Sequence, residues 1–297
     1  MRVFVTGATG WIGSATVPHL LAAGHEVAGL ARSDRSAAAL RAAGVEPVAG
    51  GLADLDVLDR EARASDAVLH LGFHHDFGDM AGAARLEREA VETMLGSLEG
   101  TGRGFALAAG VAGLTPGRRA TEADRSPHEG PDAPRGGSEN LALSWADRGV
   151  RTVSLRFAPT VHGTGDHGFT AAFVAIARER GVSAYVGDGS HRWAAVHVSD
   201  AGRLAARALA DAPAGTACHV VAEEGIATRR IAEAIGQRLG LPVASVAADE
   251  AAEHFGGLGR FFGQDLAASS ALTRERFGWE PTGPTLLEDV AADAYVR

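Results

Sequence analysis

The chain of 297 residues is 46% hydrophobic, holds 39 glycines and carries a formal net charge of −9. The acidic balance speaks against nucleic acid as a partner, and no apolar run is long enough to cross a bilayer, so one large or two unequal soluble domains are expected. A single cysteine, Cys218, excludes an internal disulfide and any multi-cysteine metal site, and because all 28 basic side chains are arginines, any mechanism that needs a lysine is excluded.

Residues 1–32 read as a strand, a glycine turn, a helix and a second strand. Arg2 to Thr6 is a short β-branched and aromatic run, and Gly7, Gly10 and Gly13 then recur every third residue into a helical segment ending at Ala23 and Gly24. The three glycines serve different ends. Gly7 permits a tight turn, Gly10 lets the backbone approach a pyrophosphate, and Gly13 lets the helix pack closely on the strand. The unpaired N–H groups at the helix start favour an anion, which places Thr9, Gly10, Trp11 and Ile12 beside it. Pro18 removes a backbone bond inside this helix, so a kink is expected there. The second strand, residues 26–31, leads to Arg32, Ser33 and Arg35. A guanidinium with a neighbouring hydroxyl suits a 2′-phosphate, which favours NADP(H); Asp34 nearby keeps NAD(H) open.

A helix over residues 35–43 and a strand over 45–48 follow, then Asp54 and Leu55, where Asp54 can also serve as the cap of a helix over 56–64. Residues 67–73 form a continuous apolar run suited to a buried parallel strand, and in such sheets ligands sit beyond the carboxyl ends of the strands. Its exit, Leu71, Gly72, Phe73, His74, His75, Asp76 and Phe77, therefore belongs near the cofactor. Three adjacent residues cannot all face one ion, so no metal is expected at His74 to Asp76. A long helix over 81–98 has Leu86, Val91, Met94, Leu95 and Leu98 on its apolar side and precedes a strand over 104–109. Beyond a polar loop over 115–133, a helix over 138–148 leads to a strand over 150–157. The amphipathic pattern of 169–180 predicts a helix, Asp200 is placed to cap another over 201–210, and 218–221 and 228–239 read as strand and helix.

The spacing Thr6-Gly7-Ala8-Thr9-Gly10-Trp11-Ile12-Gly13 resembles the short-chain dehydrogenase/reductase family, in its extended and atypical branch, and the similarity runs through to Phe277-Gly278-Trp279-Glu280-Pro281. The resemblance implies that Asp54 and Leu55 contact adenine, that Leu71, Gly72 and Phe73 line the nicotinamide ribose, and that Pro159, Thr160 and Val161 pack on the nicotinamide. It also exposes a departure. Family members carry a serine or threonine after the fifth strand and a tyrosine and lysine four apart on the next helix, whereas this chain reads Ala108-Ala109-Gly110-Val111-Ala112 and then Pro134-Arg135-Gly136-Gly137-Ser138-Glu139. Arg135 takes the place of the tyrosine and Glu139 that of the lysine.

With the phenol missing, His74, His162, Asp166 and His167 are the candidate proton donors, because an imidazole titrates near neutrality. Tyr185 completes the candidate catalytic set; with Trp193 it is also read as a wall of an apolar substrate pocket, and packing is the other reading of both. The expectation is an α/β Rossmann protein: a doubly wound parallel sheet with helices on both faces over 1–163, to which 194–223 return, and a smaller substrate-binding region formed by 164–193 and 224–297. The leading function is NADPH-dependent reduction of a carbonyl or similarly activated double bond on an apolar or aromatic small molecule. A non-redox isomerase, cyclase or lyase and an NADP(H)-sensing binding protein stay open. With no signal peptide ahead of the first strand and one cysteine, a cytoplasmic location is expected, with no membrane partner; the resemblance adds a homodimer paired through the helices near Ala81 and Ser138.

Overall fold

The computed structural model describes residues 1–74 and 79–295, so His75, Asp76 and Phe77 of the strand exit lie outside the described residues. The first half of the chain alternates strand and helix: β1 (Arg2–Thr6), α1 (Trp11–Ala22), β2 (Glu26–Ala31), α2 (Asp34–Ala42), β3 (Glu46–Ala49), α3 (Leu55–Ala64), β4 (Ala67–His70), α4 (Met80–Leu98) and β5 (Gly104–Gly110). Then come α5 (Ser138–Ser144), β6 (Arg151–Phe157), β7 (Thr160–His162), α6 (Phe169–Arg180), β8 (Ser183–Val186), β9 (Arg192–His197), α7 (Val198–Asp211) and β10 (Thr216–Val220). The last stretch holds β11 (Glu223–Ala227), α8 (Thr228–Leu239), β12 (Val243–Val246), α9 (Ala251–Phe255), α10 (Gly259–Phe262), α11 (Ala271–Phe277) and α12 (Leu286–Ala291). No described helix is long and apolar enough to cross a membrane.

The chain divides into two compact units, the first made of Met1–Ala109, Arg125–Arg156 and Ala201–Cys218. Its core is a seven-stranded sheet in the order β10-β6-β5-β4-β1-β2-β3, with β1 pairing in parallel to both β2 and β4. The order reverses between β1 and β4, which is where a doubly wound sheet opens its ligand crevice. Successive strand residues face opposite sides: Phe4 packs with Leu58, Val91, Met94 and Leu98 of α3 and α4, while Val3 and Val5, also fully buried, point to the opposite face of the sheet. Helix α7 reaches the backbone of α1, since a Cβ on Gly202 would stand 2.4 Å from the Ala15 carbonyl oxygen.

The second unit comprises Gly110–Asp124, Phe157–Asp200 and His219–Arg297. It holds a three-stranded sheet, β11-β9-β7, and a parallel pair, β12-β8. Its core is aromatic: Phe173 stacks on Phe262 at 4.0 Å between centroids, and Trp193, 1% exposed, meets both edge-on. Segments 110–124 and 157–163 therefore lie here rather than with the sheet. The reason is hydrogen bonding, since Ala120 donates to Ala267, Ser269 donates back to Ala120, and β7 pairs with β9.

Several local expectations shift. β4 stops at His70 instead of Phe73 because the Gly72 N–H is taken by the Thr6 hydroxyl oxygen, which draws the chain out of the ladder. Asp200 does not cap a helix; α7 begins at Val198, and the Asp200 carboxylate accepts the backbone N–H groups of Thr282 and Gly283. Helix α1 runs through the exposed Pro18 without ending, and the helix expected over 138–148 passes into a 3₁₀ turn at Trp145–Arg148.

Candidate functional site

The glycine turn is set by two glycines and left open at the third. Gly7 has φ +71, and a Cβ there would lie 2.7 Å from the Gly72 nitrogen, so the β1 turn and the β4 exit touch through bare backbone. A Cβ on Gly13 would stand 2.1 Å from the Gly7 carbonyl oxygen, so α1 sits directly on the turn. Gly10 differs: its Cβ would meet only the Gly7 oxygen at 3.1 Å, with open space beyond. Gly10 is the N-cap of α1 with no side-chain hydrogen bond, and Thr9 and Gly10 are exposed while Trp11 and Ile12 are half-buried. An open, glycine-lined helix start with aligned N–H groups fits a pyrophosphate.

At the end of β2, Arg32 is exposed, and its guanidinium has no partner among the described residues; its stem lies 3.7 Å from where a Gly51 Cβ would be. Ser33 is committed to structure. Its hydroxyl accepts the Ser36 N–H and the Ser36 hydroxyl accepts the Ser33 N–H, a capping box that starts α2. Asp54 stands at the head of α3 but makes no cap bond; its Oδ2 accepts the Gly51 N–H at 2.7 Å, leaving Oδ1 open, with Leu55 half-buried behind it. These residues fit the adenosine half of a dinucleotide, with the Arg32 guanidinium at the ribose end.

Across the sheet reversal, Leu71, Gly72 and Phe73 line the β4 exit half-buried and His74 stands exposed. Behind them is a cluster that sequence reasoning missed. Thr6 accepts from Gly72 and shares a 2.8 Å hydrogen bond with His70 Nδ1, while His70 Nε2 is buried without a hydrogen-bond partner among the described residues. Complete burial, aided by the nearby Arg135 cation, pulls the His70 imidazole down to about 3, so it is neutral at physiological pH. Arg135 lies over the Phe73 ring, its Cζ 4.4 Å from the centroid, and is paired through Nε and Nη2 with Glu87, whose side chain is 1% exposed. Burial raises the Glu87 carboxyl and Arg135 pulls it back. Arg135 is the only non-glycine with positive φ among the described residues (φ 53), a conformation costing about 1–2 kcal/mol for an L-residue. Two signals mark this cluster in sequence: Glu87 falls on the stripe of Val91, Met94 and Leu98, and an arginine precedes two glycines. Glu139 is structural, half-buried and paired with the buried Arg156 and the Ser154 hydroxyl.

In the second unit the expected proton donors are already engaged. His162 is fully buried in β7; its Nδ1 is 2.6 Å from Asp289 of α12, its Nε2 has no hydrogen-bond partner among the described residues, and burial lowers its proton affinity against the pull of Asp289. That enclosure suits a core histidine, not one exchanging protons with a ligand. Asp166 accepts from the Gly168 N–H and the Tyr295 hydroxyl, and His167 is exposed. Tyr185, 7% exposed, receives a hydrogen bond from Arg229, and Trp193 donates to the Gln264 carbonyl within the aromatic core, so both pack rather than wall a cavity. Thr160 is buried in β7, with Pro159 and Val161 half-buried beside it. A groove of about 290 Å³ runs between the 111–120 loop and residues 264–267.

The family pattern of NAD dependent epimerases and dehydratases matches residues 3–221. The chain belongs to the NAD dependent epimerase/dehydratase family. It is 47% identical over 296 residues to an uncharacterized protein of Schizosaccharomyces pombe, covering 99% of this chain and 100% of that one. It is 30% identical over 266 residues to the 2'-dehydrokanamycin reductase of Streptomyces kanamyceticus, across 85% of this chain and 71% of the reductase. In fold it resembles the double mutant of DesIV, the dTDP-glucose 4,6-dehydratase of Streptomyces venezuelae solved with NAD and DAU, with a TM-score of 0.74 over 99% of this chain and 96% of that one at 23% identity. The open glycine turn is in keeping with the nicotinamide dinucleotide that the family's description names.

Proposed function

We propose that the chain is an NADP(H)-dependent oxidoreductase that reduces a carbonyl, or a similarly activated double bond, on an apolar or aromatic small molecule. The carrying observation is Arg32, an exposed guanidinium without a partner among the described residues, at the end of β2 where a ribose 2′-phosphate would stand. The distant reductase relative supports the direction of the chemistry. When bound, the nicotinamide supplies the hydride.

The chain's residues do the rest. The first turn of α1 and Gly10 hold the pyrophosphate, Arg32 the 2′-phosphate, and the free oxygen of Asp54 the adenine amine. Gly72 and Phe73 shape the β4 exit, where orientation of the acceptor supplies much of the rate. His74, exposed beside Phe73, delivers the proton in place of a phenol.

The test is nucleotide consumption with a panel of aromatic aldehydes and ketones, using NADPH and NADH in parallel. The proposal expects turnover with NADPH at least about tenfold above NADH, the difference collapsing in Arg32→Ala. Substrate conversion without nucleotide consumption contradicts it and moves the chain to the non-redox readings; NADH turnover equal to NADPH overturns the role of Arg32.

A further inference from the structure

Four features converge on Arg135. Its guanidinium is fixed on three sides: Nε and Nη2 are held by the buried Glu87 carboxylate, the flat face rests on Phe73, and the backbone is locked in a left-handed run with Gly136 and Gly137. That run cannot slide, because a Cβ on Gly136 would lie 2.6 Å from the Ala84 carbonyl oxygen and Arg88 donates to the Gly136 carbonyl at 2.7 Å. Nη1 has no partner among the described residues, and the side chain is 36% exposed. Phe73 follows Gly72, which touches Gly7, so the open Nη1 edge belongs to the β4 side of the sheet reversal. The adenosine contacts Arg32 and Asp54 lie on the β2 and β3 side, and a dinucleotide spanning the reversal brings its other half toward β4.

A strained residue held this firmly, with both N–H groups of Nη1 left over, is more than a structural clamp, for which Nε and Nη2 alone suffice. We propose that Arg135 binds the oxygen of the substrate carbonyl, donating from Nη1 and stabilising the negative charge that develops there. The proposal deepens the reductase reading and rests on it. As hydride reaches the carbonyl carbon, the π pair moves onto oxygen, Arg135 holds that charge, and a proton from His74 or water completes the alcohol. The ligand class follows from the balance of charge. Because Glu87 offsets the arginine, the edge presents preorganised N–H dipoles and not a bare cation, which suits an oxygen that gains charge in the transition state better than a permanent carboxylate brought up against Glu87.

The probe is 4-nitrophenol, an aromatic ring whose oxygen is neutral or anionic according to pH, read by the absorbance of the phenolate. The wild-type protein is expected to bind phenolate at least about tenfold more tightly than phenol, so that the bound probe ionises at lower pH than the free one. Arg135→Gln with Glu87→Gln removes the charge pair without stranding a buried carboxylate and is expected to abolish that preference while NADPH affinity stays unchanged. Arg135→Lys, which keeps a cation for Glu87 but loses the outward fork, is expected to lose it too. Wild-type protein without phenolate preference, or either variant that retains it, overturns the assignment. Failure of the wild type to bind NADPH refutes the reductase reading instead, and the two results are read separately.

Discussion

At the scale of single residues, the glycine turn separates what the fold requires from what a ligand requires. Gly13→Ala forces a Cβ to 2.1 Å from the Gly7 oxygen and should cost about 1–3 kcal/mol, seen as a lowered unfolding midpoint. Gly10→Ala meets only that oxygen at 3.1 Å and should fold normally yet lose nucleotide affinity. Equal stability losses in the two variants would contradict the assignment. His70 makes a second prediction. Its pKa falls from 6.5 to about 3 on folding, so between those values the unfolded chain binds the extra proton. Stability is therefore full above pH 6.5 and declines as pH falls, by about 1.4 kcal/mol per unit for this one group. His162, also lowered by burial, acts in the same direction. Urea unfolding of wild type and His70→Gln across this acidic range should show a shallower slope in the variant; an unchanged slope refutes the buried neutral imidazole.

These residues also show what the sequence could and could not disclose. The glycine turn was legible because local backbone geometry dictates it. His162 was not: a histidine in a glycine-rich stretch looks available for chemistry, and only the return of α12, 127 residues later, encloses it against Asp289. Tyr185 and Trp193 were open to two readings, and long-range partners, Arg229 and Gln264, decided for packing.

At the scale of elements, periodicity located the strands and helices of the sheet unit within a few residues, because buried runs and amphipathic stripes are local signals. The failures fall where a side chain from far away replaces a local partner, as with Thr6 ending β4 and with Asp200 reaching Thr282. The tie between α4 and the Arg135 turn belongs here too. Arg135→Gln alone leaves Glu87 buried and unpaired and should cost about 3 kcal/mol, while adding Glu87→Gln should recover most of the loss, a coupling read from a double-mutant cycle of unfolding free energies. Additive losses would mean the pair does not act as a unit.

At the scale of the whole molecule, the α/β class and the family were legible from end to end, whereas the division into units was not. Segments 110–124 and 157–163 follow the second unit through bonds such as Ala120 to Ala267, which no local pattern announces. A nucleotide that binds only the folded chain must raise its stability, by about 2.7 kcal/mol at a hundred times its dissociation constant, so NADPH should raise the thermal midpoint in a concentration-dependent way.

The central claim is a dinucleotide seated on the glycine turn with Arg32 at the 2′-phosphate. Calorimetric titration of the wild type and Arg32→Ala with NADPH, NADP⁺, NADH and NAD⁺ tests it most directly. The account predicts tighter binding of the phosphorylated pair by about tenfold or more, lost in Arg32→Ala. Equal affinities for all four in the wild type, or no binding at all, would contradict it.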